Sequence, residues 1–199
     1  MVKKIIIVGL SAVVLIGLAG CGSNSDDSSG SSSTQKTSQS VKVSSEGETR
    51  ADVNVSVADA IKAYQEAYPD SDITSIDLET SLGKYLYKIE GVDDDKEYEL
   101  RVDANTKAVS KEREENLDAE DRNGVKRTED KLDLEGLLSI EQVSDIAEKH
   151  VGKGEAVDWS LDKDAGTMYW EVKVIAGQDE TEVKIDATSG EVLETEIDD

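Results

Sequence analysis

Asp93-Asp94-Asp95 and Asp162-Lys163-Asp164-Ala165-Gly166 space their carboxylates as the start of a calcium loop does. Neither completes one, because such a loop needs a third oxygen ligand before its glycine and a bidentate Glu at position twelve, which counted from Asp162 is Lys173. Solvated turns are the simpler reading, since the aligned stretch Glu79-Thr80-Ser81-Leu82-Gly83 keeps the glycine with a single acid. His150 and Cys21 are the only residues of their types in the 199-residue chain. No disulfide can form, and Cys–His catalysis and multi-histidine metal centres lack their ligands. Paired carboxylates could support acid–base hydrolysis, but nothing singles out a pair among 45 acidic residues. The expectation is a protein that is not an enzyme, with no catalytic residues, no metal and no cofactor.

The charge balance narrows the class further. Acids outnumber bases 45 to 22, for a net charge of −23. A nucleic-acid partner would require clustered Lys and Arg, so it is excluded. Lys3 and Lys4 precede an uncharged apolar run, Ile5 to Ala19, too short to span the ~30 Å hydrocarbon layer at ~1.5 Å rise per residue. The run ends in Leu18-Ala19-Gly20-Cys21, which resembles the bacterial lipobox. That resemblance implies a signal peptide over 1–20, cleavage before Cys21, and diacylglyceryl and palmitate-type acylation of that cysteine. The body would then sit on the extracytoplasmic face of the cell membrane, in a bacterium of Gram-positive type. Half of the residues from Gly22 to Thr49 are Ser or Thr. Such a composition cannot offset the entropy of ordering, so 21–54 reads as a flexible tether.

Beyond the tether the sequence repeats. A shift of 83 residues aligns Val55–Val109 with Leu138–Val192 without a gap, with eight identities among 55 positions. The shared pattern is more informative than the identities. Each copy opens on a capping signal, Ser56 to Asp59 and Ser139 to Gln142, and continues as an amphipathic helix that stops at Pro69 or Gly152. The apolar period then changes from about 3.6 to 2, the mark of strands with one buried face. Thr74, Ile76 and Leu78, and Val157, Trp159 and Leu161, are expected on that face. Gly83 and Gly166 then turn the chain into strands bearing Tyr85, Tyr87 and Ile89, and Trp170, Val172 and Val174. Tyr98, Leu100 and Val102, matched by Thr181, Val183 and Ile185, mark a third strand. Val109 and Val192 open a short fourth.

The fold class is therefore α+β. Two tandem repeats, 55–110 and 138–199, each pack one helix on a small antiparallel sheet of three to four strands. The stretch 111–137, with 16 charged residues of 27, is a charged linker, partly helical, with the helix placed at about 111–122. His150 falls in the last turn of the second helix, where the helix dipole favours a cation. Tyr85, Tyr87, Trp159 and Trp170 are assigned to the core. On the opposite face of the second strands, Leu86, Lys88, Glu90 and Val92 align with Tyr169, Glu171, Lys173 and Ile175, so Leu86, Val92, Tyr169 and Ile175 are candidate partner-facing residues.

The closing stretch Asp186-Ala187-Thr188-Ser189-Gly190-Glu191-Val192, with the capped helix and aromatic strand before it, is similar to the PepSY domain of peptidase propeptides and bacterial envelope proteins. The first copy reads Asp103-Ala104-Asn105-Thr106-Lys107-Ala108-Val109. Lys107 stands where Gly190 stands in the second, so either the turn differs or Lys107 takes a left-handed conformation. Asp103, Asp186 and Gly190 are structural turn residues. The resemblance implies a membrane-anchored binding module that inhibits or chaperones an envelope peptidase or another protein. The alternative is a ligand- or cation-responsive sensor module at the cell surface.

Overall fold

The computed structural model describes residues 53–198, so the leader (1–20), the Leu18–Cys21 site and nearly all of the tether lie outside the described residues. Helix α1 (Val57–Ala67) begins where Ser56 accepts a hydrogen bond from the Asp59 amide, and α3 (Ile140–Val151) begins on a full capping box between Ser139 and Gln142. Gly152 closes α3 in the left-handed conformation at φ 79°. Each helix is followed by antiparallel strands: β1 (Asp72–Ser81), β2 (Lys84–Val92), β3 (Lys96–Asp103) and β4 (Val109–Asn116), then β5 (Glu155–Asp164), β6 (Thr167–Ala176), β7 (Asp179–Asp186) and β8 (Val192–Asp198). The β1–β2 and β5–β6 turns have two central residues each, Leu82-Gly83 and Ala165-Gly166, all with positive φ, as a tight hairpin matching strand twist requires.

The two repeats do not build separate small sheets. Their strands form one eight-stranded sheet in the order β4-β3-β2-β1-β5-β6-β7-β8. The seam is the antiparallel pairing of β1 with β5, which sets Ile76 against Leu161, Asp77 against Ser160 and Leu78 against Trp159. Asp77 and Ser160 are themselves equivalent under the 83-residue shift, so a pseudo-twofold axis passes between them. The internal duplication thus reproduces a self-complementary dimer interface within one chain. Both helices lie on one face, where Tyr64, Tyr87, Trp159, Trp170 and the inward residues of both repeats share one hydrophobic cluster. Tyr85 crosses the seam, its hydroxyl donating to the Val157 carbonyl at 3.2 Å and its ring 5.8 Å from that of Trp159.

Three expectations are corrected. Thr74 and Val157 do not continue the buried face. A bulge in β1 between Ile73 and Ser75, and an equivalent one in β5 between Ala156 and Asp158, sets two residues against one. The buried sets become Ile73, Ile76 and Leu78, and Ala156, Trp159 and Leu161. Residues 109–116 are strand rather than helix, because pairing with β3 gives this charged segment both backbone partners and side-chain counter-ions, which outweigh its helical propensity. The linker's helix is α2 (Val125–Asp130).

The linker is also fastened down. Arg127 pairs with Asp72 at 2.7 Å and Asp94 at 3.2 Å, and Lys126 with Glu97 at 3.1 Å. Leu132 is 2% exposed and donates its amide to the Ile73 carbonyl. Leu134, Leu137 and Leu138 continue along the core into α3.

Candidate functional site

The sheet face opposite the helices carries outward residues of every strand, and the pseudo-twofold axis marks its centre. The Ser160 hydroxyl lies 2.7 Å from both Asp77 Oδ1 and Asp162 Oδ2. The single hydroxyl proton can be given to only one of the two carboxylates at a time. Burial raises the Asp162 carboxyl, with the Ser160 hydrogen bond opposing and Asp77 and Glu90 adding to the rise. Lys88 bridges Asp77 at 3.3 Å and Glu90 at 3.1 Å.

Ion pairs run outward from this centre on both sides. Arg113 of β4 meets Glu90 and Glu97, and Lys173 of β6 meets Glu180 and Glu182. Lys184 reaches Glu171 and Glu194 and sits 5.6 Å over the Tyr169 ring. Cross-strand pairs of this kind hold register and each contribute little in free energy.

Asp158, opposite Lys173, sits in the same field. Burial pushes its carboxyl up to about 6; Lys173 opposes this, and Glu79, Asp77 and Glu182 reinforce it. The folded chain holds this proton more tightly than the unfolded chain, so the group favours the fold at low pH and that contribution is lost as the pH rises through about 6. Asp186 has the opposite sign. Amide and hydroxyl donors from Ser189, then Thr188, hold it at about 2, so its contribution is present above the ordinary carboxyl range and lost as the pH falls toward 2. The two groups together place the stability maximum at about pH 4, with a decline from there to about pH 6 as Asp158 ionises. Asp158→Asn should flatten the alkaline limb and gain about 1 kcal/mol at pH 7.5 once solvent screening is allowed for. Urea midpoints of both proteins from pH 4 to 8 check this.

The four candidate partner-facing residues do not form one patch. Leu86 and Tyr169 are half-buried on the outer face, but β1 and β5 lie between their strands and the β1–β5 register offsets them along the strands as well, so they are about 20 Å apart. Charged pairs fill the interval. Val92 is corrected: it is 1% exposed, at the end where the linker's ion pairs to Asp72, Asp94 and Glu97 bring α2 and the buried Leu117 over repeat 1. Its counterpart Ile175 has no such segment over it among the described residues and is 38% exposed.

The remaining candidates resolve into structural roles. Asp103 Oδ1 accepts the Asn105 and Thr106 amides, as Asp186 Oδ1 accepts those of Thr188 and Ser189. Gly190 has φ 77° and Lys107 φ 62°, so the two turns share a shape and the lysine adopts the left-handed conformation. In the acidic triplet, Asp93 Oδ1 accepts the Asp95 and Lys96 amides while Oδ2 accepts the Tyr98 hydroxyl at 2.6 Å, and Asp94 meets Arg127. His150 Nε2 lies 3.0 Å from Thr195 Oγ1, which ties the end of α3 to β8. The cluster at the seam was not anticipated from the sequence; the signal for it was that Asp77 and Ser160 occupy equivalent positions.

Comparison with known proteins follows the same division of the chain. The profile of the family described as peptidase propeptide and YPEB domain matches twice, over residues 54–113 and 137–196. A crystal structure from Clostridium difficile 630, described as that of a lipoprotein, is similar at a TM-score of 0.71 and 38% sequence identity, covering 77% of this chain and 99% of that one. No curated protein matches significantly.

Proposed function

The chain belongs to the PepSY family as a tandem pair of its domains, and from that premise we propose that it is a membrane-anchored, extracytoplasmic module that binds a protein partner in the cell envelope. Cys21, behind Leu18, Ala19 and Gly20, carries the acyl anchor in this reading. The description of the similar C. difficile protein as a lipoprotein supports it. The partner is an envelope peptidase or another envelope protein, which the module inhibits or chaperones by occlusion.

One observation carries the reading: the outer face of a sheet eight strands wide, roughly 34 Å across, has no described element lying over β5 to β8. A fused sheet of this breadth offers a rigid surface on which Leu86, Tyr169 and Ile175 punctuate charged rows. Partner capture through such a face is decided by a few anchor residues rather than by its area. The double variant Leu86→Asp/Tyr169→Asp is expected to keep its circular dichroism spectrum and thermal midpoint within a few degrees while losing about tenfold or more in capture of the crosslinked partner on intact cells. Undiminished capture by the folded variant rejects this face.

A further inference from the structure

The two repeats serve as internal controls for each other, and they differ at the end of the helix and the outer strand. Repeat 2 has an open groove of 390 Å³ between the C-terminal end of α3 and β8, lined by His150, Val151, Thr181, Thr195 and Ile197 together with the Lys153–Asp179 ion pair. In repeat 1, Tyr68 and Tyr98 stand where repeat 2 has Val151 and Thr181, their rings 4.4 Å apart, and Lys111 Nζ lies 4.3 Å over the Tyr68 ring. The space left there is 280 Å³, and Glu114 replaces Ile197. The chain thus fills the site with two phenol rings of its own in one copy and leaves it open in the other.

The edge strands differ in the same sense. β4 is blunted by Lys111, Glu112, Arg113, Glu114 and Glu115, with Lys111 held inward on Tyr68 and the Ala67 carbonyl, a protection against strand addition. β8 is the other terminal strand of the sheet and exposes Leu193 at 47% and Ile197 at 68%. Its outer edge has no strand partner among the described residues. The sequence from Glu191 to Asp199 holds five acids and no base. A second copy of the chain would bring the same five acids against them, on a body of net charge −23. The occupant that fits is therefore basic.

Deepening the protein-binding reading on which it rests, we propose that an extended basic segment of the partner adds to β8 as a ninth strand and seats an aromatic side chain in the groove beside Val151, Thr181 and Ile197. Backbone hydrogen bonds to β8 would supply affinity. The aromatic ring, in the place that Tyr68 and Tyr98 occupy in repeat 1, would supply register, and alternate lysines would meet Glu194 and Glu196.

The test uses the full chain in detergent at physiological salt and a capped octapeptide, Lys-Tyr-Lys-Val-Lys-Tyr-Lys-Val. Binding is expected to slow amide exchange in 192–198 and to weaken about tenfold when both peptide tyrosines become alanine, a change that leaves its charge intact. Val151→Tyr/Thr181→Tyr, which copies repeat 1, should weaken it about as much. Ile197→Lys provides the same readout if that double variant misfolds. The proposal is overturned by no binding, by affinity indifferent to the peptide tyrosines or to both sets of variants, or by protection confined to the outer face. Any of these results with retained, Tyr169-dependent partner capture would leave the protein-binding reading standing and remove only the groove.

Discussion

Trp159→Ala is expected to lower the unfolding free energy by about 3–5 kcal/mol and the thermal midpoint by roughly 10–15 °C. Trp159 is fully buried at the seam, opposite Leu78 across β1–β5 and Val172 on β6. Its Nε1 donates to Ser144 Oγ at 3.0 Å, which ties α3 to the sheet, and its ring packs near Tyr85 of the other repeat. Truncation opens a cavity where the two copies meet, and neither copy can collapse into it without shifting the other. The loss should therefore appear as one cooperative transition at lower temperature. A cost below about 1 kcal/mol, or two separated transitions with repeat 1 unaffected, would show that the seam is not a shared core.

Gly91→Val places in repeat 1 the residue that repeat 2 has at the equivalent position, Val174, and is expected to cost about 3 kcal/mol, at the upper end of overpacking effects. A Cβ on Gly91 would collide with Tyr64 Oη and lie 2.5 Å from the Asp72 carbonyl oxygen. Tyr64 is fully buried and bonded to Ser71 at 3.0 Å, and Asp72 is backbone in the paired strand, so neither side can yield cheaply. In repeat 2 the Tyr64 position is Ala147, which leaves room for Val174. The large and small residues have exchanged partners between copies while the summed volume stays similar. Pairing Gly91→Val with Tyr64→Ala should recover part of the loss, and urea midpoints of the single and double variants measure the coupling. No recovery in the double variant would place the clash on the backbone alone.

Much of the scaffold was legible in the sequence because local rules and tertiary packing agree there. Ser56 and Ser139 cap helices, Gly83 and Gly166 turn hairpins, and Tyr87 and Trp170 face the core as their period predicts. The misreadings have particular causes. The bulges at Thr74 and Val157 break a period of two without any glycine or proline to announce them. The segment 109–116 has helical composition but takes strand geometry from its neighbour β3, a preference no local window contains. Val92 and Ile175 are indistinguishable by pattern, and only the path of the linker buries one of them. The partnership of Asp77 with Ser160 depends on β1 meeting β5, a pairing between elements far apart in the chain. The groove at β8 depends on Val151 and Thr181 standing where repeat 1 has Tyr68 and Tyr98, a difference that gains meaning only from the contact between the end of the helix and the third strand.

The central claim is that the fused sheet holds a partner in the envelope through its outer face and β8 side rather than through its helices. A photo-crosslinking residue placed singly at Leu86, Tyr169, Ile197, Lys62 and Asp145 of the full chain, activated on intact cells, measures this directly. The expected result is a discrete crosslinked protein from positions 86, 169 and 197 and none from 62 or 145 on the helices. Equal crosslinking from all five positions, or a product only from the helical pair, would contradict it.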